Sequence, residues 1–162
     1  MLSACNVNLK AVPDMDASIA LERFIPYLLF RVSRQLNAYL REEMRGVGVT
    51  IHRWRILAVL AAGDGRSLSE LAAVTVMEQS VASRVVDQMR RDGLVRREPG
   101  ASDRRIGSIH LTPRGRRLFG RIFPVALGHQ KRATRTLTDA EERTLARLLR
   151  KVLDAIDAEQ PA

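Results

Sequence analysis

Residues 67–98 read SLSELAAVTVMEQSVASRVVDQMRRDGLVRRE, and the fold follows from this stretch. Ser67 and Glu70 stand three apart, the spacing of a capping box, in which each side chain satisfies a backbone N–H at a helix start. A short helix is expected behind them, with Leu68, Leu71, Ala72 and Val74 turned inward. The pattern breaks near residues 75–77. A longer helix then runs from about 78 to 91, with Ala82, Val85, Val86 and Met89 as its buried row. Asp92-Gly93 stops it, and LVRRE at 94–98 reads as a short strand.

Outward from this core the pattern stays legible. Residues 99–105, PGASDRR, are polar and turn-forming, and 106–111, IGSIHL, read as a second strand. The two strands make a β-hairpin with a charged tip. Thr112 and Pro113 suit the cap and first position of the next helix. That helix carries Leu118, Phe119, Ile122 and Phe123 and is expected to break at Pro124. Thr138 and Glu141 repeat the capping-box spacing. Behind them Leu145, Leu148, Leu149, Val152, Leu153 and Ile156 form an apolar stripe. Upstream, residues 52–62 read as a helix around Trp54, Leu57, Ala58 and Leu60. Residues 19–45 read as another, with Pro26 either starting or kinking it. Residues 1–18 lack a sustained period and read as a mobile or loosely docked arm.

Helix, short helix, longer helix and basic hairpin, in that order, make a winged helix-turn-helix. The expected fold is mainly α with a small β-hairpin. The DNA-binding module spans 52–117, and helical regions flank it at 19–51 and 118–162.

Charge agrees with this division. The chain has 162 residues and a net charge of +9, with 24 Arg and 3 Lys. Residues 84–117 hold +6 of that excess, as 10 Arg against 4 acids. A basic stretch localised in a folded domain is the electrostatic footprint of a nucleic-acid binder. Apolar residues, at 46%, suffice for a core, and aromatics, at 4%, make that core aliphatic. A single Cys excludes an intrachain disulfide framework and a cysteine-rich zinc site. Neither a signal peptide nor an apolar run long enough to span a bilayer is read, so a cytoplasmic location is expected, nucleoid-associated when bound to DNA.

In this fold the second helix of the pair enters the major groove. Its residues outside the core row are the candidate readers: Gln79, Ser80, Ser83, Arg84 and Gln88. Gln pairs bidentately with adenine and Arg with guanine. Ser80 and Ser83 are short enough to let the backbone approach. Arg91, Arg96 and Arg97 are phosphate candidates. At the hairpin tip Arg104 and Arg105 would face the neighbouring minor groove, where Arg is drawn by the negative potential.

Several segments carry a family resemblance. They are Trp54-Arg-Ile-Leu57, the capping box and helix from Ser67 to Ala72, Ser80-Val-Ala-Ser83-Arg84-Val-Val-Asp87, Gly93-Leu94-Val95-Arg96-Arg97, Asp103-Arg104-Arg105 and Leu111-Thr112-Pro113-Arg114-Gly115. Over about residues 20–158 the chain resembles the MarR family of bacterial transcription regulators. The resemblance implies a homodimer, with 19–51 and 118–162 as its dimerisation regions, on double-stranded DNA with a roughly palindromic operator. It implies that Asp103 pairs with Arg105 to shape the wing tip. It also implies a small-molecule effector, and members often act as repressors. Residues 71–80 are similar to a subgroup that answers to aromatic acids or their CoA thioesters. Phe30, Arg34, His52, Trp54, Arg55 and Phe123 are the matching candidates for lining a ligand crevice. The chain departs from the family in one turn: Thr75-Val76-Met77 stands where a Gly is common. A β-branched residue tolerates positive φ poorly, so a different turn conformation is expected.

Other readings carry less. Cys5 sits in the arm with little nearby to activate it. His52, His110 and His129 lack partners at metal-ligand spacing, so no metal and no cofactor is expected. No phosphate loop, nucleophile elbow or paired carboxylates are present, which speaks against an enzyme. A non-specific architectural DNA-binding protein is the alternative, and a small cytoplasmic enzyme the residual one.

Overall fold

The computed structural model describes residues 21, 23–99 and 107–159. The arm with Cys5 and the wing-tip residues Asp103, Arg104 and Arg105 lie outside the described residues. The chain divides into two compact units, one up to Ala38 and one from Tyr39 onward.

In the first unit the helix α1 (Ile25–Gly46) begins. Phe24, Ile25, Leu28, Leu29, Phe30 and Val32 are all exposed here. The Arg31 guanidinium lies 5.7 Å from the centre of the Tyr27 ring, a cation–π distance. The Asn37 amide donates to the Ser33 carbonyl at 2.8 Å, one turn back.

The second unit takes up α1 at its last turns, where Met44 is fully buried. There follow α2 (Ile51–Ala62), β1 (Arg66–Ser67), α3 (Leu68–Thr75), α4 (Gln79–Arg91), β2 (Val95–Glu98), β3 (Ser108–Leu111), α5 (Pro113–Ala133) and α6 (Asp139–Glu159). The strands form one antiparallel sheet in the order β1-β3-β2, with Val95 opposite Leu111 and Arg66 opposite Ile109. The two-residue strand β1 was not expected, because two residues are too few to show a period.

The core is aliphatic, as composition demanded. Ile56, Leu57 and Leu60 of α2 meet Leu71 of α3, Val86 and Met89 of α4, Val95, Ile109 and Leu111 of the sheet, and Ile122 of α5. The local rules hold at most helix starts. Thr50 caps α2 by accepting from the Arg53 N–H at 3.3 Å. Ser67 and Glu70 close their box at 3.2 and 2.7 Å, and Thr138 and Glu141 close theirs at 3.3 and 2.8 Å. Thr112 caps α5 through the Gly115 N–H at 3.0 Å, with Pro113 inside the first turn.

Three local expectations are corrected. Val74 was placed inward but is 57% exposed, and Thr75 takes the buried position instead. The Thr75 hydroxyl is satisfied there by the Leu71 carbonyl at 2.5 Å. The turn after α3 has the left-handed form after all: Val76 adopts φ 53°, ψ 54°. Tertiary packing of α3 against α4 outweighs the local penalty. Finally, α5 does not break at Pro124 but runs through it to Ala133. The ring removes the bond to the carbonyl four residues back, which belongs to Gly120, and Gly120 faces open solvent. Its carbonyl is therefore free to bond water.

Candidate nucleic-acid interface

Helix α4 is sharply two-faced. Ala82, Val86 and Met89 are buried on one side. Gln79, Ser80, Arg84 and Gln88 are exposed on the other, with Ser83 half-buried between the two faces. A helix of 13 residues in this orientation offers its polar row to solvent over about 20 Å. The Arg84 Nε donates to the Ser80 carbonyl at 3.4 Å, a bond weak enough to exchange for a base or phosphate. Glu78 stands at the N-cap without a side-chain hydrogen bond, so its carboxylate only adds negative charge near the helix N-terminus.

The turn that enters α4 is held from behind. Arg55 on α2 donates to the Thr75 carbonyl at 3.3 Å, at the end of α3. Val76 follows, 85% exposed in its left-handed conformation. The angle between the two helices of the motif is thus tied to a side chain from the scaffold helix.

The root of the wing has its own anchor, which sequence reading missed. Asp64 accepts from the Leu111 backbone N–H at 2.9 Å and from Arg116 at 2.5 Å. His110 lies between Asp64 and Glu98, at 3.8 and 3.4 Å, and its Nε2 is 2.9 Å from the Ser108 hydroxyl. The Gly-Asp-Gly turn was legible as a helix stop, but its partner lies 47 residues on, and no local period links them.

The basic candidates on β2 differ in their surroundings. Arg96 donates to Glu98 at 2.7 Å and to the Leu111 carbonyl at 3.1 Å. This hydrogen bond is the main reason the Glu98 carboxyl is held below its usual range. Arg97 and Arg91 are exposed. Arg53 forms a 2.5 Å ion pair with Asp92, joining α2 to the end of α4.

Of the ligand-crevice candidates, the structure brings together two with a third aromatic. Trp54 stacks on Phe119 at 5.7 Å and 6°, and Phe123 tilts against both at 6.5 and 5.2 Å. Phe119 was read as core rather than pocket; its helical step from Phe123 is the signal that could have added it. His52 and Arg55 lie on the same helix as Trp54. Burial lowers the His52 pKa first, and the positive charges of Arg55 and Arg41 lower it further. Phe30 and Arg34 are exposed on α1 in the first unit.

A two-helix motif with an exposed polar reading helix, followed by an anchored antiparallel wing, defines a winged-helix DNA-binding protein of the transcription-regulator class. The comparisons with known proteins agree. The MarR family profile matches residues 47–106. The chain is 34% identical over 137 residues, 82% of each protein, to the proposed transcriptional regulatory protein for the hcr operon of Thauera aromatica. A MarR family regulator from Silicibacter pomeroyi superposes with a TM-score of 0.78 at 37% identity, covering 86% of this chain and 94% of its own. Bordetella bronchiseptica BpsR shares the fold, with a TM-score of 0.72 at 24% identity over 82% of this chain and 95% of its own. The chain belongs to the MarR family of transcriptional regulators. These relatives are regulators rather than enzymes. Among the described residues no helix is long and apolar enough to cross a membrane.

Proposed function

We propose that the chain is a homodimeric repressor that reads a roughly palindromic operator and is released by a small aromatic acid or its CoA thioester. The observation that carries the reading is the two-faced α4, with its core row buried and its polar row exposed. In this reading Gln79, Ser80, Ser83, Arg84 and Gln88 contact base edges and nearby phosphates in the major groove. Arg91, Arg96 and Arg97 serve the backbone, and Asp103, Arg104 and Arg105 shape the minor-groove contact.

Unpartnered apolar stripes support the dimer. Helix α6 has no buried residue, yet Leu145, Leu148, Leu149, Val152, Leu153 and Ile156 recur along it. An apolar row of that length on a monomer marks an interaction surface. Residues 19–51 and 118–162 then form the dimerisation region around the DNA-binding module at 52–117, in a cytoplasmic protein.

The effector reading rests on His52, Trp54, Arg55 and Phe123 of the second unit. An aromatic ring suits the Trp54 and Phe123 surfaces, and an anion suits the Arg55 guanidinium. BpsR, with the same fold, has its DNA binding regulated by 6-hydroxynicotinic acid. Arg55 gives this reading a mechanism. A carboxylate bound by Arg55 competes with the Thr75 carbonyl, and loss of that bond releases the turn that sets α4. A ligand shifts the equilibrium only by its preference for the released arrangement.

The test is a gel shift on the DNA upstream of the chain's own gene. Affinity is expected to exceed that for scrambled DNA by at least three orders of magnitude. Equal affinity for both would replace this reading with that of an architectural DNA-binding protein.

A further inference from the structure

Helix α5 carries more arginine than the wing and the reading helix account for. Arg116 is paired with Asp64, and Arg132 with Glu43. Arg114, Arg117 and Arg121 are exposed and have no carboxylate partner among the described residues. They recur at steps of three and four, so they share one face with their Cβ atoms about 5–6 Å apart in succession. At 100° per residue that face points away from Phe119 and Phe123, on the other side of the helix.

Arg114 and Arg121 line a cleft of about 300 Å³ between α5 and the α1–α2 turn, Val47 to Val49. Its inner wall is the Arg53–Asp92 pair, in which Arg53 is already neutralised. The cleft continues along α5 into a more open groove bounded by Arg114, Arg117, Gly120 and Arg121. Gly120 has nothing within 4 Å of where a side chain would begin, so a ligand can lie against the helix there. Four guanidinium groups thus face this space with one carboxylate among them.

We infer that this groove is a binding site for a small molecule bearing a diphosphate or several phosphate groups, separate from the aromatic cluster. Guanidinium forks match phosphate oxygens in pairs, and successive arginines at this spacing engage successive phosphates. DNA is the other source of the same chemistry, but the site lies at the far end of the reading helix from its first turn, and the salt dependence of DNA binding separates the two. Asp92 ends α4, about 20 Å along the helix from Gln79. Arg114 follows the end of β3 opposite Val95, the root of the wing rather than its tip.

The probe is sodium pyrophosphate, titrated calorimetrically into the full chain against sodium chloride of matched ionic strength. Saturable binding is expected, weakened at least tenfold in R114S/R117S/R121S and unchanged in R143S/R147S/R150S. The second variant removes the same charge from α6, and circular dichroism checks that both fold. Absence of saturable binding, or equal loss in both variants, overturns the site. A gel shift of the α5 variant across salt concentrations separates the sources. An unchanged salt slope supports the small-molecule site. A slope reduced by about three per protomer, or about five for the dimer, assigns these arginines to the DNA backbone and overturns it.

Discussion

A methyl group added to Gly115 would sit 2.1 Å from the carbonyl oxygen of Leu94. The first turn of α5 is therefore pressed directly against the entry to β2. The Thr112 hydroxyl locks the same junction by donating to the Gly93 carbonyl at 2.7 Å, while its oxygen accepts from the Gly115 N–H. Gly115→Ala is expected to destabilise the fold by about 2–3 kcal/mol, the cost of overpacking a site that cannot give way. Gly120→Ala, on the same helix with open space around it, is expected to gain up to about 1 kcal/mol from helix propensity. Urea midpoints of the two variants should move in opposite directions.

Val76 holds a left-handed conformation with 85% of its surface in solvent. Its strain is about 1–2 kcal/mol, and its side chain packs on little. Val76→Gly relieves that strain and returns part of it as unfolded-state entropy. A net stabilisation of about 0.5–1 kcal/mol is expected, read as a higher urea midpoint. A lower midpoint would mean that the Val76 side chain makes a contact that matters.

Replacing Arg84 tests the reading face directly. Arg84→Ala is expected to cost about 1–3 kcal/mol on the operator and much less on random DNA. Gel shifts on both sequences measure the ratio. A uniform loss would reassign Arg84 to a phosphate.

Two pH windows follow from the lowered pKa values. The His52 pKa is lowered by burial first and then by the charges of Arg55 and Arg41. The unfolded chain therefore takes up the proton first, and stability falls as pH drops from about 6.5 toward the lowered native value. His52→Gln is expected to flatten that slope. Glu70 and Glu141 are held ionised chiefly by the backbone N–H groups of Ser67 and Thr138 in their capping boxes. Their contribution is complete above the ordinary carboxylate range and is lost as pH falls through the lowered values. E70Q/E141Q should flatten only this more acidic limb. Thermal melts from pH 3 to 8 separate the two.

The apolar row on α6 predicts its own outcome. Leu149→Asp with Leu153→Asp places two charges on an exposed stripe that a monomer leaves in water. Light scattering is expected to show a dimer for the parent chain and a monomer for the variant. A monomeric parent would remove the two-half-site geometry.

Much of this fold was readable because its signals are local. The capping boxes at Ser67 and Thr138 need three residues, and the buried row of α4 repeats every three or four. The strands β2 and β3 sit where alternation and turn residues put them, and so does the cap at Thr112. The candidate DNA readers were legible by subtraction, as the residues of α4 that the core does not use. Three readings failed where a neighbour distant in sequence decided the matter. Val74 and Thr75 exchange places because α3 rotates to pack on α4. Val76 accepts a left-handed turn because the two helices must meet there. Helix α5 continues through Pro124 because Gly120 opens its freed carbonyl to water.

By itself the sequence determined the helix-turn-helix order, the wing, the aliphatic core and the gathering of +6 charge between residues 84 and 117. Periodicity, caps and composition act over a few residues, so they survive without a structure. Only the tertiary structure decided that Asp64 anchors the wing root, that Arg55 holds the turn at Thr75, that Trp54, Phe119 and Phe123 cluster, and that three arginines of α5 line a groove. Those relations join residues about 20 to 70 positions apart or depend on which helix face is left uncovered. Packing alone sets both.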